Sequence, residues 1–106
     1  MQNDLAKSIK EPWHLTDNDL VKQLELEVNS EHVLSGKLLK TLARRKDNDD
    51  VLFEILDDEY KYAVVHLTWQ HQPSADKQIP STELYKNWED VFQKRINSDI
   101  KEFGEI

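Results

Sequence analysis

From Lys37 to about Gln70 the apolar and polar positions alternate with a period close to two. Three runs, KLLKTLARRK, DVLFEIL and YAVVHLTWQ, are rich in β-branched and aromatic residues and are separated by the polar turns DNDD and DDEY. That pattern predicts a three-stranded antiparallel meander. Successive side chains of a strand point to opposite faces, so parity sorts them. Val51, Phe53 and Ile55 fall with Ala63, Val65, Leu67 and Trp69 on a wholly apolar face, which helices must cover. The other face carries Leu38, Lys40, Leu42 and Arg44, then Leu52, Glu54 and Leu56, then Tyr62, Val64, His66 and Thr68. It is mixed, and is expected to be only partly covered.

On either side of the meander the spacing turns helical. Thr16 and Asp19 precede Leu20, Val21, Leu24 and Val28, a capping pattern that predicts a helix from about Asp17 to about Asn29. SEHVLSG reads as its exit, with Gly36 suited to a left-handed turn. At the other end Asn87 with Asp90 caps a closing helix whose Trp88, Val91, Phe92, Ile96, Ile100 and Phe103 lie on one side. HQPSADKQIPST reads as a loop leading to a short fourth strand near Glu83 to Lys86. The expectation is an α+β fold: a three- to four-stranded antiparallel meander with the N-terminal and C-terminal helices packed on one face, after a polar lead over residues 1–15. Phe53, Trp69, Trp88 and Phe92 would form one core, and Trp69→Ala would cost about 3–5 kcal/mol.

Length and composition narrow the function classes. A chain of 106 residues makes a single domain. Its 14 Lys and Arg against 21 Asp and Glu give a net charge of −7, which repels nucleic acid and favours a basic protein partner. Gly36 and Gly104 are the only glycines, so no phosphate-binding loop, dinucleotide fingerprint or nucleophile elbow can be written. There is no cysteine for a disulfide, a thiolate metal site or a nucleophile. No cofactor or metal is expected. Without an apolar run of signal-peptide or membrane-span length, the expected location is cytoplasmic, with no membrane partner.

The histidines invite a metal reading that spacing opposes. His66 and His71 are an odd number of residues apart, hence on opposite faces of a regular strand, and His14 and His32 lie in expected loops. DNDD is a turn sequence in which Asp and Asn bond their own backbone; it lacks the glycine and ligand order of a calcium loop. Charge is more telling. Lys37 to Lys46 holds five positive residues and no negative one, and Asp47 to Tyr60 holds seven negative and no positive. Cross-strand pairing of Lys40 or Arg44 with Glu54 is the plain account. The functional alternative gathers Arg44, Glu54 and His66, with Tyr62 and Thr68 beside them, into a polar site on the half-covered face. It lacks a strong nucleophile, for which Thr68 is a poor substitute.

Ala43 to Arg45, Asp49 to Glu54, Ala63 to Trp69, Pro80 to Tyr85 and Trp88 together resemble the core of a group of small bacterial proteins with a DDVLFE…AVVHLTW strand pair. The resemblance implies a self-contained domain and no particular activity. The function expected is non-enzymatic protein binding, an immunity-type inhibitor of a basic toxin being one form of it. The alternatives are a small hydrolase or ligand-binding protein using the polar face, and self-association through Leu42, Leu52, Tyr62 and Val64.

Overall fold

The computed structural model describes residues 8–104; part of the polar lead expected over 1–15 therefore lies outside the described residues. The fold is α+β. Five strands, β1 (Trp13–Leu15), β2 (Leu39–Arg45), β3 (Asp50–Ile55), β4 (Tyr62–His66) and β5 (Thr82–Tyr85), form one antiparallel sheet in sequence order. The short strand expected after the proline loop is β5. β1, within the supposed polar lead, adds an edge that expectation omits.

Helix α1 (Val21–Glu27) is shorter than the 17–29 span predicted. Its ends are set by side chains that bond nearby backbone. Asp19 accepts the Val21 N–H, Thr16 accepts the Asn18 N–H, and Asn29 accepts the Glu31 N–H, each fixing a turn where a helix would otherwise extend. The closing helix comprises α2 (Trp88–Val91), a π-helical segment (Phe92–Ile96) and α3 (Asn97–Gly104). Its predicted cap is present: Asn87 Oδ1 accepts the Asp90 N–H at 2.8 Å, and Asp90 accepts the Lys86 N–H. The wide π turn adds a residue to the repeat, so Val91 and Ile96 can both be fully buried.

The helices do not share a face, which corrects the expected packing. Leu20, Leu24 and Leu34 close over Val51, Phe53, Ile55, Ala63, Val65 and Leu67. Val91 and Ile96, with Trp88, Phe92 and Ile100 around them, cover Ala43, Leu52, Val64 and Tyr85 on the reverse side. The sheet is thus buried on both faces. Leu52 and Val64 supply enough apolar surface for the second helix to pack, and each large side chain so buried contributes about 2–3 kcal/mol. The same cover removes Leu52 and Val64 from any self-association seam. Trp88 and Phe92 belong to this second core and meet Tyr62, whose ring lies edge-on to Trp88 at 5.7 Å, while Phe53 lies in the first.

Burial also sets an alkaline limit. It raises the Tyr85 phenol above its ordinary value of 10.0, helped by its bond to Glu83, and raises Tyr62 likewise, helped by the charge of Glu54. The fold favours both neutral phenols, so their contribution to stability is complete below pH ~10 and is lost as the pH rises through the raised values. Stability should fall more steeply above pH ~10 than in the Tyr62→Phe, Tyr85→Phe double variant, as measured by urea unfolding across that range.

Candidate functional site

Two polar clusters sit at the same end of the sheet, one on each face. A bulge decides which residues join which. Between Thr41 opposite Phe53 and Ala43 opposite Leu52, β2 contains one extra residue, Leu42. Beyond it the parity inverts. Arg44 lies opposite Val51 on the α1 face, and Arg45 turns to the face covered by the closing helix. Arg44, Glu54 and His66 therefore do not converge, which corrects the polar site expected of them. Glu54 lies between Lys40 and Tyr62 in the register, and His66 is opposite Asp50, its actual carboxylate neighbour, at 2.8 Å from Nδ1 to Oδ1.

The cluster under the closing helix centres on Arg95. Its guanidinium binds Asp50, Glu83 at 2.7 Å and Asp99 at 3.0 Å, and lies over the Trp13 ring. Asp99 also takes Arg45 at 3.1 Å and the Trp13 indole N–H at 2.9 Å. Tyr85 donates to Glu83, and Arg45 grips Asp47 with two bonds of 2.8 Å. Burial opposes the charge on Arg95, yet Asp99, Asp50 and Glu83 outweigh it and hold the group's pKa above its ordinary value. Bonding by Arg45 likewise holds the Asp47 carboxyl below its ordinary range. These contacts tie the closing helix to four of the five strands, β1, β2, β3 and β5. His66, oriented by Asp50 with its side chain half exposed, resembles a positioned base. Among the described residues no hydroxyl is bonded to its ring.

The cluster on the α1 face is built on Glu27. This carboxylate is 1% exposed and accepts four bonds: the Thr68 N–H and hydroxyl at 2.8 Å each, the Trp69 N–H at 2.9 Å, and the Gln23 amide at 2.7 Å. The pull of two successive backbone N–H groups ends β4 at His66 and turns the chain. Trp69 consequently has φ 62°, in the left-handed region where a bulky residue is strained. It is not the core residue expected from parity; it is 40% exposed. Its indole N–H donates to Asp49 at 2.9 Å, and the Arg44 guanidinium lies over the ring, 5.7 Å from its centroid. Thr68 of the expected site is a bonding partner of Glu27. An open depression of about 620 Å³ adjoins this corner, lined by His14, Asn18, Arg44 and Asp49 among others.

No protein-family model, curated protein or solved structure matches the chain. Two further depressions of about 600 and 700 Å³ are also open; the first is lined mainly by loop residues, His32 among them, and the second by Leu84, Lys86 and the start of the closing helix. His32 itself is buried, its Nδ1 accepting the Leu34 N–H and its Nε2 donating to the Pro80 carbonyl, so it braces a loop. Among the described residues, no group of three or more His, Cys, Asp or Glu is placed to hold a metal ion, and no helix is long and apolar enough to cross a membrane.

Sequence reasoning missed Glu27, Asp99, Arg95 and Trp13. For two of them a signal exists. Glu27 continues the apolar helical stripe of Leu20 and Leu24, and Asp99 interrupts that of Phe92, Ile96 and Phe103. A carboxylate on an apolar stripe has to find partners inside.

Proposed function

We propose that this protein acts by binding another protein through the corner formed by Trp69, Arg44 and Asp49. The display of Trp69 carries the reading. A buried carboxylate holds a large aromatic in a strained backbone conformation, two side chains brace its ring, and the residue is still 40% exposed. Tryptophan and arginine fixed side by side are the residue types that dominate protein interfaces. Strain that survives folding without contributing to the core is commonly retained for function. The sheet faces are covered, so they offer a partner no binding surface, and this corner stays open. The net charge of −7 supports a partner of positive overall charge, as for an immunity-type inhibitor and its toxin, because charge complementarity speeds encounter.

Affinity capture from native cells with the parent chain and with Trp69→Gly tests this. A specific partner should be retained by the parent and reduced at least ~10-fold by the variant. Equal capture by both would place binding elsewhere or nowhere.

A further inference from the structure

We infer that the Trp69 corner takes a protein segment presenting a carboxylate beside an apolar side chain. This rests on the binding role proposed above and specifies its chemistry. The depression next to Trp69 departs locally from the acidic character of the chain, and its charges can be followed one by one. Arg45 is committed to Asp47 and Asp99, and Lys46 to Glu11. Asp49 is committed through Oδ1 to the Trp69 indole. Arg44 remains. Among the described residues no carboxylate lies within ion-pair distance of its guanidinium, whose contact of note is the face of Trp69. Exposed His14 stands opposite Arg44 in the β1–β2 register.

The Arg44 guanidinium, set over the Trp69 ring and with no ion-pair partner among the described residues, has N–H groups to offer for the paired bonds that a carboxylate accepts. The exposed part of the indole offers the adjoining apolar contact. Long-range attraction and local contact are separate matters. At physiological ionic strength charges beyond ~8 Å are screened, so the groups at the corner select what docks there even on a partner of positive overall charge. A single-stranded nucleic acid could also stack on Trp69, but its run of phosphates would have to pass Asp47 and Asp49 at the rim, whereas one carboxylate needs to meet Arg44 alone.

Three seven-residue peptides, alternating leucine with glutamate, with glutamine or with lysine, and a short oligothymidylate serve as probes for the full chain. The readouts are the NMR signals of the Trp69 indole N–H and the Arg44 Nε–H. The glutamate peptide should move both, with a midpoint at least ~10-fold lower than the glutamine and lysine peptides. Arg44→Gln should abolish that preference. The inference is overturned if the lysine peptide or the oligonucleotide binds as well as the glutamate peptide, or if the glutamate peptide leaves both signals in place. It is overturned equally if Arg44→Gln keeps the preference. A preference for lysine at Trp69 would overturn the carboxylate assignment alone and leave the binding role standing; that role fails when capture from cells is unaffected by Trp69→Gly.

Discussion

Arg95→Ala should destabilise the protein by about 3–5 kcal/mol, a large share of the ~5–15 kcal/mol that holds a domain of this kind together. The cost arises mainly from what is left behind. Asp50 and Asp99 are 8% and 6% exposed, and without Arg95 their charges stay in a poorly solvated site with only His66, Arg45 and the Trp13 indole N–H to receive them. Arg95→Lys should recover only part of the loss. A single ammonium cannot reproduce the three directed contacts that Nε and both terminal nitrogens make to Asp99, Asp50 and Glu83. Urea midpoints of the two variants provide the check, and a loss below ~1 kcal/mol for Arg95→Ala would mean that the network is solvated like an ordinary surface cluster.

Glu27→Ala should cost about 3–4 kcal/mol and act first on the corner. The substitution strands the Thr68 and Trp69 N–H groups, the Thr68 hydroxyl and the Gln23 amide, and bonds to a charged acceptor contribute about 1.5–3 kcal/mol apiece before the freed groups find water. Glu27→Gln keeps one acceptor oxygen and loses about half as much. Amide hydrogen exchange separates local from global effects. Thr68 and Trp69 should lose protection in Glu27→Gln while Phe53 and Val65, deep in the first core, exchange only with global opening. Uniform acceleration across all four would show that Glu27 supports the core and not the turn.

Much of the fold is legible in the chain, because local rules set it. The alternation in DVLFEIL and YAVVHLTWQ, the acidic turns, and the Asn87 and Asp90 cap each act within a few residues, and the strands and closing helix follow from them. The site is less legible because distant contacts set it. No glycine or proline marks the extra residue Leu42, yet that one residue exchanges the faces of Arg44 and Arg45. Trp69 follows the strand parity in sequence, but Glu27, far back in α1, ends the strand before reaching it. Periodicity also cannot tell a face that is half apolar and open from one that is half apolar and covered. Leu52 and Val64 looked exposed enough to pair two copies, and the closing helix covers them.

Equilibrium unfolding of Trp69→Gly beside Trp69→Ala tests most directly whether Trp69 is displayed or packed. A displayed tryptophan loses one hydrogen bond, one cation–π contact with Arg44 and its partial burial, and glycine relieves the strain at φ 62°. The account predicts that Trp69→Gly unfolds within about 1.5 kcal/mol of the parent and is about 1 kcal/mol more stable than Trp69→Ala. A loss of about 3–5 kcal/mol in both variants, with no advantage for glycine, would contradict it and return Trp69 to the core.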